Sequence, residues 1–125
     1  MEWVIIIIQV VVAVTLFNVW LFRFGKPTAW RGGEAQSMSE EFTVYALPMW
    51  FMYVVGFLKV AFAVGLIAGI WWPTVVTPSA LGIAVLMIGA IAMHVKVQDP
   101  MKKSFPAAVM LVLVLVIAAG RAWLV

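Results

Sequence analysis

The chain contains no cysteine and a single histidine, His94. Without cysteine there can be no disulfide, no thiolate nucleophile and no iron–sulfur ligation. One histidine rules out bis-histidine haem ligation, and no group of residues has the spacing of metal ligands. Charge is nearly as scarce. Asp, Glu, Lys and Arg make up 10% of the 125 residues, too little to coat a water-soluble domain of this size. All five carboxylates fall outside the long apolar runs, so a proton relay of paired intramembrane acids lacks its parts. A glycine-rich nucleotide loop is missing as well, and the residues alone call for no cofactor.

Apolar side chains fill the rest, at 66% of the sequence. Four stretches stand out: Trp3 to Phe22, Leu47 to Trp72, Thr74 to Val95, and Phe105 to Val125. Each reaches the roughly 20 residues that a helix rising about 1.5 Å per residue needs to cross a hydrocarbon core of about 30 Å. The chain therefore reads as one all-α transmembrane domain over residues 1–125, an up-down-up-down four-helix bundle in a lipid bilayer. Tryptophan agrees, since indole collects at membrane boundaries. Trp3, Trp71, Trp72 and Trp123 fall at one set of helix ends, and Trp20 and Trp50 at the other. The first stretch reads as a retained span, because no basic residue precedes it and its apolar run exceeds a signal-peptide core.

Basic residues in short loops mark the cytoplasmic side. Arg23, Lys26 and Arg31 lie in the first loop and Lys96, Lys102 and Lys103 in the third, whereas the connection around Pro73 has none. Both termini are thus expected outside an inner (cytoplasmic) membrane and loops one and three inside. Arg121 lies near enough to a span end to snorkel outward. The net charge of +3 is accounted for by the inside loops and gives no reason to invoke nucleic acid.

The connections differ in length. Pro73 and Pro78 leave little between spans two and three, which should form a tight hairpin, whereas residues 23–46 are too many for a turn. In that loop Ser37-Met38-Ser39-Glu40 has capping-box spacing and predicts a short interfacial helix over Met38 to Ala46. Asp99-Pro100 reads as an N-cap followed by a first-turn proline. Pro106 then either kinks that helix early or belongs to the first turn of one capped by Ser104. Gly65 and Gly69 form a GxxxG that suits packing within the chain first and a homo-oligomer face second.

One cation interrupts the second run. Lys59 sits near the middle of FMYVVGFLKVAFAVGLIAGI, where a charged lysine costs on the order of 3 kcal/mol on insertion scales. Three readings are open: a snorkelling structural lysine, a neutral amine satisfied by polar neighbours, or a cation in a cavity that binds an anionic or carbonyl-bearing ligand. The last is favoured because ionisable residues at this depth are functional by default. The polar residues able to meet it are Gln9, Thr15 and Asn18 on span one, Tyr53 on span two and His94 on span three. On a helical wheel Thr15 and Asn18 share a face and Gln9 lies nearly opposite, so Thr15 and Asn18 are expected toward Lys59, with Tyr53 and His94 at the inner mouth. His94 lies one residue before the third loop and reads equally well as an interfacial histidine. Catalytic residues cannot be assigned from these positions.

RFGKPTAWRGGEAQSMSEEFTVYALPMWFMYVVGFLKV and GAIAMHVKVQDPMKKSFPA, taken together, resemble the DoxX-like family of small bacterial membrane proteins. The resemblance rests on Gly56 and Lys59 in a GxxK on the second helix, a proline-marked hairpin, and His94 ending the third helix before Lys96 and Asp99-Pro100. It implies a four-helix membrane bundle, and, from relatives tied to quinone-reducing thiosulfate oxidation or to redox and assembly complexes, an accessory subunit with a protein partner and a quinone or other lipophilic ligand. Two other readings remain beside it: an enzyme acting on a hydrophobic substrate with Lys59 and His94 as acid, base or electrostatic stabiliser, and a small oligomeric transporter.

The orientation is open to direct labelling. A cysteine introduced at Ser37 or Ser104 is expected to be protected from an impermeant thiol reagent in intact cells, and one appended after Val125 to react. The opposite pattern refutes it.

Overall fold

The computed structural model describes residues 2–22, 25, 32, 33, 35 and 37–123, and among them every regular element is helical. The α-helices are α1 (Glu2–Phe17), α2 (Met38–Val44), α3 (Met49–Ala68), α4 (Val76–Lys96) and α5 (Phe105–Trp123). A π-helical stretch, Asn18–Phe22, extends α1, and 3-10 turns at Pro73–Val75 and Met101–Ser104 lead into α4 and α5. Four of these segments are long and apolar enough to cross a membrane: Trp3–Phe22, Met49–Ala68, Pro73–Lys96 and Met101–Arg121. The basic residues Arg23, Lys26 and Arg31 lie outside the described residues.

Hydrocarbon leaves a backbone no hydrogen-bond partner but itself, which makes the helix the economical spanning element. The four spans pack as a ring in which α1 meets α3, α3 meets α4, α4 meets α5 and α5 returns to α1. A third or less of each span is buried inside the ring. The outward faces carry Trp3, Ile7, Phe57, Val85 and Val112, a surface suited to lipid rather than water. The inward faces interlock around Ile5, Val12, Leu66, Ile83 and Ile117. A smaller cluster of Trp20, Met38, Phe42 and Met52 closes the other end, where α2 lies on α3.

The α3–α4 hairpin depends on the GxxxG. A Cβ on Gly65 would stand 2.1 Å from Ser79 Oγ and one on Gly69 2.2 Å from Val76 Cγ2, so both glycines serve packing inside the chain. α3 stops at Ala68, short of the predicted Trp72. Its last carbonyls are then taken by the turn: Gly69 N–H donates to Gly65 O, Ile70 N–H to Ile67 O, and Trp71 and Trp72 N–H to Ala68 O. Leu66 O receives a side chain instead, Gln9 Nε2 at 2.9 Å. Gln9 is 1% exposed, so this amide points into the bundle, on the face opposite the exposed Thr15 and Asn18. An orphan helix-terminal carbonyl in a dry core needs a donor, and Gln9 supplies it.

Two other expectations are corrected. Trp20 does not join Trp50 in a boundary belt but is buried, whereas Trp50 and, at the other set of ends, Trp3, Trp71 and Trp72 are exposed. Asp99 does not cap the next helix, because the 3-10 turn Met101–Ser104 starts from Pro100 without a side-chain cap and Asp99 is used elsewhere. Pro106 falls in the first turn of α5, where a missing N–H costs nothing. The predicted cap at Ser37 is formed, its Oγ accepting from Glu40 N–H at 3.2 Å, and the helix it starts ends at Val44.

Gly65→Val is expected to lower stability by about 1–3 kcal/mol through overpacking, read by thermal or denaturant unfolding in detergent. Gly89→Val, where a Cβ meets nothing within 4 Å, should change it by less than about 0.5 kcal/mol. Equal effects would refute the close α3–α4 approach.

Candidate functional site

At the end of the ring that carries α2 and the α4–α5 connection lies a cavity of about 970 Å³, at the upper end of what small-molecule sites occupy. Its walls are mainly apolar, from Leu16, Phe51, Val55, Leu86 and Met110. Thr15, Asn18, Val85 and Gly89 line it and are also exposed on the outer faces of the spans, so it communicates with the lipid side. Into this apolar space come Lys59, Glu41, His94 and Lys103.

The lysine is placed by helix geometry. Phe51, Val55 and Lys59 recur at intervals of four and form one stripe of α3 along the cavity. Lys59 lies about 15 Å along the axis from Met49, and its Nζ stands 5.2 Å from the centroid of the Trp20 ring, within cation–π range. Among the described residues it makes no hydrogen bond and no ion pair, although the Glu41 charge attracts it from α2. Gly56, one turn earlier, makes room for the indole, since a Cβ there would lie 2.6 Å from Trp20 Cζ3. The spacing of Gly56 and Lys59 thus has a physical cause: one accepts the ring and the other places an ammonium over it. The π-helical turn adds a residue per turn at Trp20 and so departs from the regular wheel. Trp20 in turn meets Phe42 of α2 edge-on at 6.3 Å.

The histidine is placed by the end of α4. Asp99 N–H donates to His94 O at 2.9 Å and Gln98 N–H to Val95 O at 3.0 Å, with Gln98 left-handed at φ 59, a Schellman ending. This turn brings the Asp99 carboxylate back onto the ring, with His94 Nδ1 2.7 Å from Oδ2. Gly33 N–H donates to Oδ1 at 3.0 Å and Oδ2 at 3.3 Å, and Lys103 Nζ stands 3.9 Å from Oδ1. Lys103 also donates to Gly33 O, tying the first loop to the α4–α5 connection. Burial pushes the Asp99 carboxyl up, but the His94 and Gly33 hydrogen bonds and the Lys103 charge outweigh it and hold the group below the usual carboxylate range. Against an ionised carboxylate Nδ1 must donate. The ring is packed edge-on by Tyr45 at 5.9 Å, and Tyr45 O accepts from Lys96 Nζ at 2.8 Å.

Of the residues expected around Lys59, His94 and the rim residues Thr15 and Asn18 share its cavity. Thr15 bonds back to Val11 O at 2.8 Å, which satisfies its hydroxyl within α1. Tyr53 is 66% exposed and is not among the residues lining the cavity. It follows Phe51 by two positions and precedes Val55 by two, about 200° around the helix from each. Trp20, Glu41, Asp99 and Lys103 were not among the expected site residues, Trp20, Asp99 and Lys103 having been read in other roles. The signal available for Asp99 was its place just beyond a helix ending in histidine, which a proline at 100 disguised as a cap.

The sequence model of the DoxX-like family matches residues 7–117 of the chain. No curated protein and no solved structure matches it.

The lowered Asp99 pKa has a sign. Its bonds stabilise the fold above the ordinary value of 3.8, and that contribution is lost as pH falls through the lower folded-state value. Asp99→Asn should therefore unfold more easily than the unsubstituted protein at neutral pH, by about 1–2 kcal/mol, and the gap should close as pH falls below the ordinary value and through the lowered folded-state one. A gap that does not change with pH would refute the ionised pairing.

Proposed function

The chain belongs to the DoxX-like family, and from that premise we propose that it is an accessory or redox-complex-associated membrane subunit that holds a lipophilic ligand with its polar head at Lys59. It is an integral membrane protein with four spans. One observation carries the ligand reading: an ammonium without a hydrogen bond or ion pair among the described residues, deep in an apolar cavity that reaches the lipid-facing surface. An intramembrane cation is held at a cost of about 3 kcal/mol. A ligand oxygen, anionic or carbonyl, offsets that cost when bound. A quinone fits the description, since a flat head suits walls that include Trp20, Phe42 and Phe51, and its tail can leave past Val85 and Gly89 into lipid. In this reading electron transfer belongs to a partner protein. With loops one and three in the cytoplasm, the end of the bundle that bears α2 and the cavity faces inward.

A second reading has its own observation. The imidazole of His94, oriented by Asp99 and sharing a cavity with Lys59, has the parts of an acid–base pair acting on a hydrophobic substrate. Purification in mild detergent separates the two, since a stoichiometric protein partner favours the subunit and turnover of a bound metabolite the enzyme.

Lys59→Met keeps side-chain length and improves partitioning into hydrocarbon, so the protein should insert and fold at least as well. Lipid extracts of the purified variant, compared by mass spectrometry with those of the unsubstituted protein, should lack the co-purifying ligand. Full retention by a folded Lys59→Met protein would defeat the proposal.

A further inference from the structure

His94 is 5% exposed, forms part of the cavity wall, and has Nδ1 committed to Asp99. Its other ring nitrogen, Nε2, has no hydrogen-bond partner among the described residues. In a neutral ring whose Nδ1 carries the proton, Nε2 is a lone-pair acceptor and nothing else. Lys59 can only donate. The two groups therefore ask for opposite things: one wants an oxygen that accepts, the other a hydroxyl that donates.

We propose that His94 Nε2 accepts a hydrogen bond from a hydroxyl on the ligand head, so that the cavity selects lipophilic phenols and alcohols over heads that carry only carbonyl or ether oxygen. This rests on the reading of the cavity as a ligand site and narrows it; for a quinone-type ligand it means the reduced, hydroxyl-bearing form. Lys59, in the wall of the same cavity, is the donor for an oxygen of the ligand head. Asp99 is a positioning residue here, because it fixes which nitrogen of His94 bears the proton and touches no ligand itself.

The surroundings of Asp99 make its role testable by one atom. Gly33 N–H lies 3.0 Å from Oδ1 and 3.3 Å from Oδ2, Lys103 Nζ lies 3.9 Å from Oδ1, and His94 Nδ1 lies 2.7 Å from Oδ2. In Asp99→Asn the nearer Gly33 bond and the Lys103 charge favour the amide oxygen at the Oδ1 position, and the amide nitrogen then faces Nδ1. Nδ1 becomes an acceptor, the proton moves to Nε2, and the cavity presents a donor where it had presented an acceptor.

The experiment uses the full chain in nanodiscs, with tritiated decylphenol as probe and decylanisole and decylacetophenone as competitors in a scintillation proximity assay. The unsubstituted protein should bind the phenol about tenfold or more tightly than the ether or the ketone. Asp99→Asn should bind the ketone at least as well as the phenol. His94→Phe, which keeps an aromatic ring in the wall, should bind all three alike. Equal binding of phenol and ether by the unsubstituted protein overturns this inference and leaves the cavity reading standing, provided Lys59→Met weakens both. A phenol preference that survives in His94→Phe also overturns it, by assigning the hydroxyl to another acceptor such as Glu41. An unchanged preference in folded Asp99→Asn refutes the tautomer assignment. Failure of every probe to bind overturns both readings together.

Discussion

Hydrocarbon donates and accepts no hydrogen bonds, and the interior of this bundle is arranged around that constraint. Two polar groups in the spans are consumed by nearby partners: Gln9 closes on Leu66 O, and Thr15 turns back to Val11 O. Lys59 is different. Its ammonium faces an indole and a cavity, with a carboxylate attracting it from outside the span. A charge so placed is tolerated because the Trp20 face supplies partial compensation and because the cavity leaves room for something more. The Gly56 niche, the π-helical turn at Trp20 and the aromatic contacts with α2 all follow from seating that ring.

The mouth of the cavity is organised differently, by ionic and backbone bonds at the ends of the spans. α2 and α4 both finish with a left-handed residue that is not glycine, Ala46 at φ 61 and Gln98 at φ 59. Such a conformation costs about 1 kcal/mol, which the paired turn bonds offset. The second of these turns returns Asp99 to His94, and Asp99 then gathers Gly33 and Lys103. One buried carboxylate thus joins the first loop, the end of α4 and the approach to α5. Oriented imidazole and deep ammonium end up in the walls of the same cavity although they come from different helices and different kinds of local structure.

Much of the architecture could be read from residue order, because length and apolarity are local properties. The four spans, the α3–α4 hairpin, the capped helix after Ser37 and the intramolecular use of Gly65 and Gly69 required only run lengths, prolines and spacing. The candidate site was legible in part. Lys59 announced itself by being a charge in a hydrocarbon run, and His94 by its place at a helix end. Trp20 and Tyr53 lie in other surroundings than their places in the sequence suggested, since a wheel drawn at a regular 100° per residue carries no information about which neighbour faces which side. The π-helical turn breaks even that regularity at the tryptophan that matters most.

Sequence alone determined that this chain has four helices long and apolar enough to cross a bilayer and one cation in the middle of the second, for these follow from counting against a fixed membrane thickness. It could not determine what the cation meets. Trp20 and Lys59 are brought together by Gly56, which shares a helix with Lys59 and opens a niche for a ring from the first span, and His94 and Asp99 by a left-handed turn whose central residue is a glutamine. Those pairings depend on rotations of whole helices about their axes, and the rotations are set by interlocking side chains across the ring. That is a property of the packed bundle, which no single segment contains.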